Sequence, residues 1–148
     1  MTASSGPIRV GDAPLIAWRA GVQTRLHRTP SARPTGICVI EQWSDPGAGA
    51  PAHRHANAEE LIVVVEGRAE FRLEDDRAEL IAGESILLPA GSRHGFSNSG
   101  DGVLHTLAVF DTARPLVEYE EEPGIVLEIA GESAEMRDPH RARVDPSA

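Results

Sequence analysis

Gly47-Ala-Gly-Ala-Pro-Ala-His53-Arg-His55-Ala-Asn-Ala-Glu59-Glu60-Leu-Ile-Val-Val-Val65-Glu-Gly67 is the stretch on which the reading of this chain turns. His53 and His55 are separated by one residue, so on extended backbone their side chains project to the same face. An acidic pair, Glu59-Glu60, follows and opens the β-branched run Leu61–Val65, which closes on Glu66-Gly67. A second stretch completes the set: Gly83-Glu-Ser-Ile-Leu-Leu-Pro89-Ala-Gly91-Ser-Arg-His94-Gly-Phe-Ser-Asn98. His94 opens a strand-like run behind a Pro-Ala-Gly turn. Three imidazoles and a carboxylate suit a first-row divalent cation such as Fe, Mn, Ni, Cu, Co or Zn. A His-x-His pair alone is common on solvated turns, and the residues by themselves leave both Glu59 and Glu60 open as the carboxylate.

Outward from these stretches the chain reads as short strands. From Gly36 to about Asp111 the runs are Gly36–Trp43, Glu60–Val65, Ala69–Glu74, Ala78–Ile81, Ser85–Leu88, His94–Asn98 and Leu104–Phe110. Turn signals such as Asp45-Pro-Gly, Ala82-Gly and Asn98-Ser-Gly-Asp-Gly separate them. Strands at this spacing, with no sustained helical period, predict an all-β sandwich or barrel in a single domain. Residues 1–35, punctuated by Pro7, Pro14, Pro30 and Pro34, read as an N-terminal arm with one strand near Val22–His27. The barrel core is expected over 36–112. Residues 113–148 form a C-terminal extension, with an acidic run Tyr119–Glu122 read as a solvated face, a strand at Ile125–Ala130, and a polar tail holding His140.

The two stretches resemble the cupin family. Its first motif, G-x5-H-x-H-x(3,4)-E-x6-G, is filled by Gly47, His53, His55, Glu60 and Gly67; its second, G-x5-P-x-G-x2-H-x3-N, by Gly83, Pro89, Gly91, His94 and Asn98. Every specified position is occupied, over about residues 36 to 111. The resemblance implies a cupin double-stranded β-helix, a jelly-roll-like antiparallel barrel, holding one divalent transition metal ion through His53, His55, Glu60 and His94. The six-residue distance to Gly67 selects Glu60 and turns Glu59 outward. Gly47, Gly67, Gly83 and Gly91 fall where strands turn and are expected at positive φ or close backbone approach. Asn98 is read as a strand-end residue. Four ligands on an octahedral ion leave about two open positions, so the site is expected to be open rather than a closed structural centre, for which cysteines would be expected.

Beyond the ligands, inward-facing strand residues must line the cavity. The parity of Cys38, Ile40 and Gln42 is preferred inward. His105 and Gln42 are the candidate catalytic residues, His105 as a general acid or base near neutral pH. Phe96 shares the parity of His94 and is expected as an apolar wall, and Arg25 and His27 are candidates for the barrel mouth. Few assured polar groups in the pocket predict a small, partly apolar substrate that chelates metal through oxygen.

Composition excludes several classes. The net charge of −9 repels nucleic acid and anionic lipid. All fourteen basic residues are arginine, so Schiff-base chemistry has no lysine amine to use. No run approaches the ~20 apolar residues of a membrane span. Cys38, the single cysteine, lies in an apolar run and reads as a small buried hydrophobe. With no secretory signal in sight, a cytoplasmic location is expected. The function expected from the resemblance is that of a metal-dependent small-molecule enzyme, dioxygenase-like first, with non-redox lyase, isomerase or cyclase chemistry at the same site second, and non-catalytic ligand binding third. Cupins commonly pair through terminal strands, so a homodimer is expected.

Overall fold

Every described element is a β-strand. The computed structural model describes residues 15–27 and 36–129, and the structural statements below concern these. The tail with His140, and the prolines of 1–14 and 28–35, lie outside them. The strands are β1 (Leu15–Arg19), β2 (Val22–Leu26), β3 (Cys38–Ser44), β4 (Gly49–Arg54), β5 (Glu60–Glu66) and β6 (Arg68–Leu73). They continue with β7 (Asp76–Ile81), β8 (Ser85–Leu88), β9 (His94–Asn98), β10 (Leu104–Phe110), β11 (Leu116–Tyr119) and β12 (Val126–Glu128). Two six-stranded sheets result, in the orders β1-β2-β3-β10-β5-β8 and β12-β11-β4-β9-β6-β7. Neighbours are antiparallel throughout.

Alternation builds the core. On β10, Leu104, Thr106, Ala108 and Phe110 are buried, while His105, Leu107 and Val109 between them are only half-buried. Central β5 does the same with Glu60, Ile62 and Val64. The inner faces enclose one apolar cluster that includes Trp18, Phe71, Phe96, Phe110 and Tyr119. Phe71 and Phe96 pack with ring centroids 5.2 Å apart, an arrangement that adds to simple area burial.

The turns follow the glycines. Gly67 sits at φ 91°, and a Cβ there would stand 2.9 Å from the Val103 carbonyl oxygen, so both backbone angle and space require glycine. Gly47, Gly83 and Gly91 also lie at positive φ. Buried Asn98 closes β9 by donating to the carbonyls of Ser44 (2.9 Å) and Gly102 (2.7 Å) and accepting from the Gly100 amide (2.9 Å). Its task is to hold the 99–103 loop.

Ser85–Leu88, His94–Asn98 and Leu104–Phe110 form the strands their patterns predicted. Three strands carried no such pattern. β4, Gly49-Ala-Pro-Ala-His-Arg54, is poor in strand formers and exists because β9 and β11 pair with it on either side. β1 lies in the stretch read as an arm. β11 runs into the acidic stretch at Tyr119, which is buried to 3% exposure rather than solvated.

Candidate metal centre

His53 lies one residue before the end of β4, pairs in register with His94 at the start of β9, and pairs on its other side with Tyr119 of β11. His55 lies in the loop just beyond β4. All three imidazoles therefore come from one sheet or its margin. Glu60 faces them from the other sheet, at the head of β5 beside Phe110. All four side chains are buried, and their ligand atoms lie within 4.8 Å of one another. The imidazole centroids stand 4.3 to 5.1 Å apart with steeply tilted planes, as when nitrogens converge on one point. Glu59 is exposed and donates its main-chain amide to Asp111.

The outer nitrogens of the imidazoles are all held by main-chain carbonyls. His53 Nδ1 donates to Pro51 O (2.6 Å), His55 Nδ1 to Leu116 O (2.7 Å) and His94 Nδ1 to Ser92 O (3.0 Å). A carbonyl only accepts, so each Nδ1 carries a proton, and in the neutral ring each Nε2 then turns a lone pair inward. Burial first, and then the neighbouring His94 and His55, holds the His53 pKa well below its ordinary value and keeps the ring neutral.

This arrangement leaves a buried conflict. His55 Nε2 and His94 Nε2 lie 3.5 and 3.1 Å from Glu60 Oε1. None of the three atoms has a hydrogen-bond partner. Lone pairs facing a carboxylate oxygen at that range, out of water, repel unless a cation lies among them. The residues therefore fit a divalent metal, and three neutral imidazoles with one carboxylate are a donor set for a first-row ion.

The cavity beside the group lies between the two sheets. Ile40, Ile62, Phe96, Ala108, Phe110 and Val117 give it apolar walls, with His53, His55 and Glu60 at one side. Gln42 lines it as expected by parity, its amide donating to Thr24 Oγ1 at 3.0 Å. Phe96 is a wall, while Cys38 is wholly buried.

His105 is not there. Its neighbours Leu104 and Thr106 face the interior, so His105 projects from the opposite face of the sheet, stacked on Trp43 at 4.8 Å and donating to Glu41 Oε2 at 2.6 Å. His27 donates to the other oxygen of the same carboxylate at 2.7 Å. Burial would raise the Glu41 pKa, but the bonds from His27 and His105 prevail and lower it. Arg25 lies over the Trp43 ring on that face, 5.6 Å from its centroid. His105, His27 and Arg25 thus form a cluster on the back of the sheet, and the expectations that placed His105 at the chemistry and Arg25 and His27 at the mouth are corrected by strand parity.

The groups the sequence did not offer are Trp18, Arg19 and Tyr119, all lining the cavity. A signal for the first two was present, since Leu15–Arg19 and Val22–Leu26 flank Ala20-Gly21 as a hairpin would. Tyr119 was hidden by the acidic residues after it.

Residues 44–110 match the family model of the cupin domain. Over those residues the barrel is a cupin domain. The cupin is 39% identical over 56 residues to the Polyketide synthase CurC of Streptomyces cyaneus, covering 38% of this chain and 36% of that protein. It is 35% identical over 88 residues to the Protein SchB of Streptomyces halstedii, covering 56% of this chain and 61% of that one. The matches thus span less than two thirds of either relative's length. Among solved structures it superposes on KdgF from a Halomonas species with a TM-score of 0.63 at 18% identity, over 73% of this chain and 94% of that one. An RmlC-like cupin from Shewanella frigidimarina gives a TM-score of 0.64 at 19% identity, over 76% and 96%. These structures share the fold.

Proposed function

We propose that this cupin is a metal-dependent enzyme whose ion is held by His53, His55, Glu60 and His94 and whose substrate is a small molecule that chelates through oxygen. The observation that carries the reading is the buried convergence of two unpartnered imidazole nitrogens on one carboxylate oxygen, with His53 in the same cluster, beside a cavity. A divalent ion there supplies Lewis acidity to a chelated carbonyl or enolate oxygen. The chain's own residues prepare that chemistry: the carbonyls of Pro51, Leu116 and Ser92 hold the imidazoles in the ligating tautomer, and the apolar walls exclude water from the reacting end.

Of the two chemistries open to such a site, non-redox catalysis on a polycarbonyl substrate is favoured over the dioxygenase-like one. What favours it is sequence similarity to a polyketide synthase protein, whereas the likeness to the solved structures is one of fold only. The test is turnover of a β-polycarbonyl compound by protein loaded with Zn(II), Mn(II) or Fe(II), with oxygen monitored. Consumption that persists anaerobically supports the reading; consumption strictly tied to oxygen uptake with Fe(II) or Mn(II) returns the dioxygenase. No helix among the described residues is long and apolar enough to cross a membrane, and a cytoplasmic place is part of the proposal.

Pairing of two copies belongs to it as well. The outer face of the first sheet carries a cross-strand row, Val39, Val109, Leu61 and Leu87, with Leu87 53% exposed. In a chain of charge −9 this uncharged row is where two copies meet with least repulsion. Light scattering should give a dimer, and Leu87→Arg a monomer; a dimer unmoved by the substitution rejects this face.

A further inference from the structure

Trp18 and Arg19 are neighbours on β1, and in a regular strand neighbouring side chains face opposite ways. Here both line the cavity. The cause is a slip in the β1–β2 register: Ala17 pairs with Gln23 but Arg19 pairs with Val22, leaving Trp18 as an extra residue. A bulge of this kind re-aims a side chain that the alternation would have turned to solvent.

The re-aimed guanidinium is held in place. Arg19 Nη1 donates to Gly49 O at 2.9 Å and Nη2 to the Tyr119 hydroxyl at 2.8 Å. Arg19 belongs to one sheet, while Gly49 and Tyr119 belong to the other, so the two bonds span the cavity between the sheets. Tyr119 in turn lies against His53, with ring centroids 5.6 Å apart. The positive group is therefore tied through one aromatic ring to the ligand cluster, and its planar fork is oriented before any ligand arrives.

Charge identifies the ligand class. A guanidinium does not deprotonate in proteins and only donates. Three neutral imidazoles and one carboxylate would leave a divalent ion with one positive charge in excess, and the Arg19 guanidinium lines the same cavity. An anion bridging the two meets charge-assisted hydrogen bonds at one end and the ion at the other. The remaining walls are apolar, which suits an apolar body behind an anionic tip.

We infer that Arg19 is the anion-binding residue of this cavity, holding a carboxylate or enolate oxygen of an anionic chelating substrate whose other oxygens face His53, His55, Glu60 and His94. The inference rests on the proposed function for the ligand cluster and adds the substrate's charge to it.

Malonate, a small dianionic chelator, and malonamide, its neutral analogue, serve as probes on the full chain by titration calorimetry, with Zn(II) bound and without metal. Arg19→Gln should leave Zn(II) affinity unchanged and weaken malonate by about tenfold or more, the size of a lost charge-assisted bond. Malonamide should not distinguish the two proteins, and Arg19→Lys, which keeps the charge without the fork, should recover part of the loss. Equal malonate affinity in wild type and Arg19→Gln, both folded by circular dichroism, overturns the inference. Failure of the wild type to take Zn(II) overturns the metal reading instead. The metal-free arm then decides for Arg19: malonate binding the wild type more tightly than Arg19→Gln upholds it, and equal or absent binding rejects it.

Discussion

At the scale of single residues, the chemistry depends on which nitrogen of each imidazole holds the proton. Pro51, Leu116 and Ser92 settle this by accepting from Nδ1. His94→Ala should lower metal content by at least about tenfold, as measured by elemental analysis of protein purified without added metal, since one of four ligands is gone. His105→Ala should leave metal content unchanged, because its side chain lies on the other face of the sheet with Glu41; a loss of metal would refute the facing assigned to β10. Cys38 gives a third test. Burial first, and the nearby Glu60 charge second, pushes its thiol up from 9.0 to about 12. Between those values the unfolded chain releases the proton and the fold keeps it, so this group lowers stability as pH rises from about 9 towards 12. At pH 8 iodoacetamide should alkylate Cys38 only after denaturation, as read by intact mass.

At the scale of elements, β4 is the strand on which the site depends and the one least marked by its own sequence. Its place comes from close approach to β9: a Cβ on Gly49 would run into the Phe96 carbonyl, and one on Gly95 would stand 2.8 Å from the Ala50 carbonyl oxygen. Gly49→Ala should therefore cost about 3 kcal/mol in chemical denaturation, the upper part of the range for overpacking, and should also displace the carbonyl that holds Arg19. A loss under about 1 kcal/mol would mean that the two strands separate more easily than this contact allows. The β1–β2 hairpin is the second decisive element, since its bulge adds Trp18 and Arg19 to a cavity the two motifs do not supply.

At the scale of the molecule, the ligand cluster joins the sheets, with three imidazoles on one and Glu60 on the other. An ion bound there ties the folded state together and has no such site in the unfolded chain. At a hundred times its dissociation constant it should add about 2.7 kcal/mol. For a chain of this size that corresponds to a rise in melting temperature of roughly 5–10 °C. Differential scanning fluorimetry with Zn(II), and then with excess chelator, reads the gain and its reversal. An unchanged melting temperature in His94→Ala on adding metal would complete the control.

Sequence alone determined the class of the fold and offered the histidines of the cluster, and the resemblance to the cupin motifs named Glu60 beside them. Both rest on local facts: a period of two in the apolar runs, turns that need glycine, and two histidines one residue apart on extended backbone. It did not decide which faces of the strands meet the cavity. His105 and Gln42 were equal candidates until the pairing of β10 with β3 turned one outward and the other in. Nor did it place Arg19, whose direction is set by a bulge, or Tyr119, whose burial depends on β11 joining β4. Parity, bulges and cross-sheet contacts are properties of strands already assembled, because each is defined by a partner distant in the chain. The ligands were legible because their spacing is local; the charged wall opposite them was not, because only the closed barrel brings Arg19 to Gly49 and Tyr119.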